Sequence, residues 1–327
     1  MFVYLKSKHI IIMFALLASL ASCAYYLQHE EKSFLSWMRS TNQFFTGDEY
    51  QTRFGIYLAN SRLVKEHNAA NKKFTVALNK FAAYTPAEYQ ALLGFKMDLV
   101  KRKAFKTQRK SNADSVDWRD KGVVNGIKDQ ASCGSCWAFS AIQAAESANA
   151  ISSGTLPSYS EQNLVDCVTG CAGCAGGLMT EAYDYVINQQ KGQFNLESDY
   201  KYTAVDGTCK FSQYSPVGKI SRYTNIVEGD EDDLAAKVEQ YGPVAVAIDA
   251  SNWSFQLYSG GIYDEPSCSS YSLDHGVGCV GYGSENGTKY WIVRNSWGTT
   301  WGEKGYIKML WKDNQCGIAS MATIPFV

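Results

Sequence analysis

Residues Gln130 to Ser140 read QASCGSCWAFS, two cysteines either side of a Gly-Ser pair, with good helix formers running on from Ala138 to Ala150. The spacing puts Cys136 at or near a helix N-terminus. Free backbone N–H groups and the helix dipole favour an anion there, so a thiol in that position is expected to ionise below its ordinary pKa of about 8.5. A thiolate is a nucleophile where a thiol is not. Taken alone, the stretch is equally compatible with a redox dithiol, half of a zinc site, or halves of two disulfides.

Outward from this stretch, the chain of 327 residues has room for a large core plus an extra segment, and its composition is ordinary for a globular protein. Lys6, Lys8 and His9 precede the apolar run Ile10 to Leu20, which ends in the small residues Ala21, Ser22 and Cys23. That is the layout of a signal peptide over residues 1–23, cleaved near Ala21 to Ala24. The run falls short of the roughly 20 residues a spanning helix needs, so no stable membrane anchor is expected. A retained anchor and a lipoprotein-type box ending at Cys23 are the alternatives. Export means an oxidising compartment. Nine cysteines follow Cys23; an odd number leaves at least one thiol over, and Cys136 is the candidate.

Residues up to 112 carry 17 Lys and Arg against 7 Asp and Glu, and the remainder 14 against 25. The net charge of −1 therefore conceals two parts of opposite sign, suited to docking on each other, and gives no reason to expect a nucleic-acid partner. In the basic part, Glu49, Arg53, Tyr57, Asn60, Val64 and Asn68 recur at helical spacing, with Glu49 and Arg53 as an i, i+4 ion pair. Lys101 to Lys110, with six basic residues and no acidic one, reads as an exposed, cleavable linker. The later part begins helical. Ser158 with Glu161 suggests a capping box for a helix Glu161 to Cys167, and further helical patterns run from Leu178 to Gln189 and from Asp230 to Gly242. Beyond Pro243, Val244 to Ile248, Gly276 to Val280, Tyr290 to Val293 and Gly305 to Met309 read as short strands. An α+β fold with a cleft between a helical half and a sheet half follows.

Of four histidines, only His275 lies beyond residue 112, at the start of an apolar, Gly-rich strand in LDHGVGCVGYG. Asn295 follows in YWIVRNSWGTTWGEKGYI. A zinc module built on Cys133, Cys136, Cys171 and Cys174 has a gap between its pairs longer than the common 15 to 20 or so. A catalytically silent, substrate-binding homologue is a second alternative.

The blocks SVDWRDKG, QASCGSCWAFS, SEQNLVDC, CAGGLM, LDHGV, YWIVRNSWGTTWG and CGIAS resemble the papain family of cysteine proteases, and within it the cathepsin L-like group. His275 follows Cys136 by 139 residues, inside the interval of about 130–150 typical of that family. The resemblance implies a papain-like two-domain fold, a helical domain plus an antiparallel β-barrel-like domain, preceded by a helical inhibitory propeptide over 24–112, with the protease at 113–327. It implies Cys136 as nucleophile, His275 as acid/base, Asn295 orienting the imidazole under Trp297, and Gln130 with the Cys136 N–H as oxyanion donors. It also implies disulfides Cys133–Cys174, Cys167–Cys209 and Cys268–Cys316, leaving Cys136, Cys171 and Cys279 free. Substrate backbone would run along Gly134, Gly176 and Gly177. Leu178, Met179, Ala247, Leu273 and Met321 would line the pocket for the side chain two residues before the scissile bond, with Trp297 and Trp301 as further substrate-binding residues. The stripe from Glu49 to Asn68 is similar to the group's propeptide signature, whereas a second signature around Ala77, Asn79, Phe81 and Ala83 lacks its acidic member. Expected partners are peptide and protein substrates, the chain's own propeptide and cystatin-type inhibitors, with no metal or cofactor and a monomeric state. The setting would be extracellular or a lysosome-like acidic compartment, with the mature N-terminus within Asn112 to Ser115 and sequons at Asn252 and Asn286.

Overall fold

The computed structural model describes residues 28–70, 72–96, 111 and 113–327. The expected signal peptide, the basic run Lys101 to Lys110 and Asn112 lie outside the described residues. The described residues form two compact units, one comprising those up to Lys65 with Leu78–Tyr84, the other those within Glu66–Ala77 and Thr85–Val327.

In the first unit, helix α1 (residues 28–40) and most of α2 (Gly47–Ala69) meet through aromatic side chains. The Phe34 ring lies 5.6 Å from Trp37, 5.4 Å from Phe54 and 5.1 Å from Tyr57. Glu49 and Arg53 form the expected ion pair at 3.2 Å. The stripe's polar members also hold backbone: Arg53 Nη1 donates to the Ala83 carbonyl at 3.0 Å and Asn60 Nδ2 to that of Ala82 at 2.8 Å. Helical spacing thus lines up donors for a segment that has no secondary structure to satisfy its own carbonyls.

The second unit contains the C-terminal end of α2, β1 (Phe74–Val76), α3 (Pro86–Leu92), β2 (Val116–Asp117), α4 (Cys136–Ser153), α5 (Glu161–Cys167) and α6 (Met179–Gln189). Then follow β3 (Arg222–Asn225), α7 (Glu231–Tyr241), β4 (Val244–Ile248), α8 (Trp253–Gln256), β5 (Tyr258–Tyr263), β6 (His275–Glu285), β7 (Thr288–Arg294), β8 (Tyr306–Leu310) and β9 (Met321–Phe326). The strands order as β1-β5-β8-β7-β6-β4-β9-β3, with β2 also on β6. All pairings are antiparallel except β5 with β8. The β6–β7 hairpin turns on Asn286-Gly287, both at positive φ, as a two-residue primed turn requires.

Helix α4 is the axis of this unit, packing on β4, β6 and β9 as well as on α5 and α6. Its small residues Ala138, Ala141, Ala144 and Ala145 are all buried, which lets neighbours approach closely. One apolar cluster therefore joins Trp137, Ile142, Leu164, Tyr183 and Val186 of the helical half to Ala245, Ala247 and Met321 of the sheet half. One expectation needs correcting. The cap of α5 is Ser160, whose Oγ accepts the Asn163 N–H at 3.0 Å, not Ser158. Glu161 is drawn instead to Lys128 at 2.8 Å. The structure joins Cys133 to Cys174, Cys167 to Cys209 and Cys268 to Cys316. Each closes a loop of more than 40 residues, a constraint on the unfolded chain worth roughly 3–4 kcal/mol.

Candidate active site

Cys136 is the first residue of α4, and its sulfur accepts the Gly276 N–H at 3.3 Å. His275 opens β6, and the next residue, Gly276, lies against the backbone of Cys136 and Trp137 at that helix start. Asn295 leaves β7 immediately after Arg294, and its Oδ1 lies 2.8 Å from His275 Nε2. An amide oxygen only accepts, so Nε2 carries the proton and Nδ1 of the neutral ring is bare. That Nδ1 is buried with no hydrogen-bond partner among the described residues. It is the acceptor that a thiol proton needs. The Trp297 indole stacks on the imidazole, centroids 4.7 Å apart and 29° from parallel, and shields the His275–Asn295 bond.

Gln130 approaches from the loop before α4. Its Oε1 accepts from Ser296 Oγ at 2.7 Å and Trp297 Nε1 at 3.2 Å, which fixes the amide orientation. The Nε2 group then faces two carbonyls, those of Cys133 and Leu92, each at 2.9 Å.

Leu92 belongs to the segment expected in the propeptide. That segment begins with a capping box, in which Thr85 Oγ1 accepts the Glu88 N–H at 3.2 Å and Glu88 Oε2 accepts the Thr85 N–H at 2.8 Å, with Pro86 as first helical residue. Along α3, Tyr89 sits edge-on to Trp297 at 5.8 Å and donates to the Ala250 carbonyl at 2.6 Å. Beyond it the chain is extended. Gly177 donates to the Gly94 carbonyl at 2.9 Å and accepts from Lys96 N–H at 3.1 Å, while Phe95 N–H donates to the Asp274 carbonyl at 2.9 Å. A Cβ on Gly94 would stand 1.6 Å from the Gly134 carbonyl oxygen, so only glycine passes here. The Phe95 ring joins the buried cluster that holds Leu178, Met179, Ala247, Leu273 and Met321.

This cover changes the electrostatics that the helix start suggests. Burial pushes the Cys136 thiol up to about 12, outweighing the backbone N–H groups of Gly276, Gly94 and Trp137 that favour a thiolate. The same burial pulls the His275 imidazole down to about 4 against its bond to Asn295. A helix terminus stabilises an anion by about 0.3–1 kcal/mol, up to ~2 when partly buried, whereas burying an ion costs several. Thiol and imidazole are therefore both neutral in the covered form.

The sulfur of an unpaired Cys136 accepts the N–H of Gly276, the residue next to His275, beneath a segment of the same chain, and the comparisons agree with that arrangement. Residues 112–326 match the model of the papain family of cysteine proteases, and residues 34–89 that of the cathepsin propeptide inhibitor domain. The chain belongs to the papain family of cysteine proteases. It is 46% identical to cathepsin L1 of Drosophila melanogaster over 86% of this chain and 81% of that one, and 40% identical to human cathepsin L2 over 92% and 93%. Digestive procathepsin L 3 of the Tenebrio molitor larval midgut superposes with a TM-score of 0.83 at 38% identity, covering 91% of this chain and all but 1% of that structure's. This protein is accordingly a cathepsin L-like protease of the papain fold with a propeptide region.

Several other expected residues fall as follows. Gly134 and Gly177 lie against the covering segment. Trp301 is fully buried, donates to the carbonyls of Phe255 and Gln256 and supports Trp297 edge-on at 5.2 Å. It reaches the site only through that neighbour. The Cys133–Cys174 disulfide takes two sulfurs from the zinc alternative. Cys279 is a buried strand residue, and Cys171 accepts the Leu178 N–H at 3.4 Å beside the apolar pocket. Sequence reasoning missed Leu92, Gly94 and Phe95; the T-x-x-E box at Thr85 and Glu88 signals the helix before them.

Proposed function

We propose that this chain is the zymogen of a cysteine endopeptidase, latent because its own peptide occupies the substrate track. The observation that carries this reading is the Leu92 carbonyl on Gln130 Nε2 at 2.9 Å, a peptide oxygen on the group that would stabilise an oxyanion. Removing the cover re-solvates the site, and the Cys136 proton passes to His275 Nδ1, giving thiolate and imidazolium. The thiolate attacks a substrate carbonyl carbon. Negative charge gathers on its oxygen, met by Gln130 Nε2 and the Cys136 N–H at the start of α4. The imidazolium, held by Asn295, protonates the leaving amine. A water then gives a proton to the neutral imidazole as its oxygen attacks the thioester carbonyl; the Cys136 thiolate leaves, the acid product departs and the thiolate–imidazolium pair is restored.

Residues 1–23 act as the signal peptide, 24–112 as propeptide and 113–327 as the mature enzyme, released by a cut within Asn112 to Ser115, before β2. The product works outside the cell or in a lysosome-like compartment as a monomer, open to cystatin-type inhibitors. Phe95 within the cluster of Leu178, Met179, Ala247, Leu273 and Met321 supports a preference for Leu, Val or Phe two residues before the scissile bond. Asn286, in an exposed hairpin turn, suits a glycan; Asn252 has its sequon hydroxyl, Ser254 Oγ, buried against Tyr263 and Glu265. The test is hydrolysis of a fluorogenic peptide library by processed enzyme. Wild type should favour apolar residues at that position and Cys136→Ala should show no turnover; wild-type-like hydrolysis by Cys136→Ala would sink the proposal.

A further inference from the structure

Two groups separated by six positions must hold one geometry if Gln130 and the Cys136 N–H are to meet the same oxygen. The loop between them contains Ala131 at positive φ and Gly134, with only the Cys133–Cys174 bridge as a covalent tie. A third element closes the gap. The Tyr202 hydroxyl donates to the backbone carbonyl of Gln130 at 2.9 Å and lies 2.6 Å from Ser135 Oγ, the residue immediately before Cys136. With its proton committed to Gln130, Tyr202 Oη is the acceptor for the Ser135 hydroxyl, giving a relay from Ser135 to Tyr202 to Gln130.

Ser135 supports this independently. It is the N-cap of α4 and fully buried, yet its side chain makes no capping bond. A serine in this position ordinarily accepts from the N2 or N3 N–H; here the hydroxyl turns outward to Tyr202, and no side-chain oxygen of its own competes for the first N–H groups of the helix. Tyr202 is itself fixed. Its ring sits edge-on to Phe139 of α4 at 4.9 Å, and its N–H donates to Glu197 Oε1 at 3.0 Å. Burial and nearby carboxylates raise its phenol pKa, so it remains a protonated donor.

We infer that Tyr202 is a positioning residue for the oxyanion donors, clamping the Gln130 backbone to the N-cap of the nucleophile's helix. The inference rests on the oxyanion role proposed above for Gln130. Misplacing a donor by a fraction of an ångström should lower kcat for peptide amides by about 10- to 100-fold, short of or equal to what losing a donor does.

The experiment uses processed enzyme carrying Tyr202→Phe, which keeps the ring and removes the hydroxyl, and Ser135→Ala, which breaks the relay from its other end. For each, kcat and KM on a peptide amide are set beside the rate at which an epoxide alkylates Cys136, a reaction that forms no carbonyl oxyanion. The expected result is a fall in kcat with KM and alkylation rate within about twofold of wild type, and no further loss when Tyr202→Phe is added to Gln130→Ala. Unchanged kcat in both variants overturns the inference, as does alkylation falling in step with kcat, which would mark a general disturbance of the helix start. If Gln130→Ala itself hydrolyses like wild type, the oxyanion reading fails, a result separate from the effect of Tyr202→Phe.

Discussion

The candidate active site and the open cavity formed by Lys73, Asp264, Lys289, Trp311 and Lys312 are opposites. The cavity encloses about 670 Å³, and its walls are largely charged and polar. Beside Asn295 at the active site, a cavity lined by Gln143, Arg294 and Asn295 holds only about 10 Å³, room for about one water. Open volume is no guide to the thiol and imidazole, because the segment holding Leu92 and Gly94 lies over Gln130 and Gly134. What distinguishes the filled cleft is chemistry: a buried thiol, an imidazole nitrogen without a partner and a carbonyl on a fixed amide. At the open cavity, Lys73 with Asp264 forms an ion pair at 2.8 Å and Lys289 lies over the Trp311 ring, which leaves solvated contacts worth little each.

The sharpest way to break that contrast is to remove one group from each place. In processed enzyme, Gln130→Ala should lower kcat by about 100- to 1000-fold, the usual loss of one oxyanion donor. Lys312→Ala, on the wall of the open cavity that remains once Lys73 is removed with the propeptide, should leave kcat and KM within roughly twofold, as surface substitutions do. Steady-state kinetics on one fluorogenic peptide decides; equal losses would erase the distinction.

A smaller effect tests the filling itself. Gly94→Ala places a methyl where the Gly134 carbonyl already stands. Overpacking of this kind costs about 1–3 kcal/mol, and if that cost falls on the covered state the open fraction rises by roughly 5- to 150-fold. The readout is the rate at which an epoxide labels Cys136 in unprocessed protein. A wild-type rate would mean that the segment passes Gly134 without restraint.

How much of this could be read from residues alone differs between the same regions. The places of Cys136, His275 and Asn295 were legible in local patterns, a helix start, a Gly-rich strand start and a strand end, that the fold keeps, while the roles expected of them came from the resemblance to the papain family. Strands such as Val244 to Ile248 and the helix Glu161 to Cys167 were legible to the residue. The cover was not: Leu92, Gly94 and Phe95 carry no motif, and their meaning comes from Gln130, Gly134 and Gly177, which are distant in sequence. Nor was the state of the thiol, since the dipole is a local property and burial is a tertiary one. Tyr202 escaped for the same reason, its hydroxyl acting on a loop some 70 residues earlier.

The smallest effect concerns pH, where two groups of the covered site oppose each other. The Asp274 carboxyl accepts the Ala250 N–H at 2.8 Å, and burial, with Asp249 adding to it, pushes it up to about 7 from 3.8. Between those values the folded chain holds a proton that the unfolded chain has lost, so this residue favours the fold increasingly as pH falls from about 7 to about 4. His275 does the reverse. Its pKa is lowered from 6.5 to about 4, so through that window the unfolded chain takes up a proton that the folded one refuses, and stability drains away as pH falls. The two shifts are similar in size and opposite in sign, so their contributions nearly cancel in acid. Asp274→Asn removes the compensating arm. In a Cys136→Ala background, which prevents self-processing, the urea midpoint of the Asp274→Asn proform should exceed that of its parent at pH 8, where the parent keeps a buried charge. It should then decline more steeply than the parent between pH 6.5 and 4, where His275 acts unopposed. Parallel midpoint curves would mean that Asp274 is not the counterweight to the imidazole.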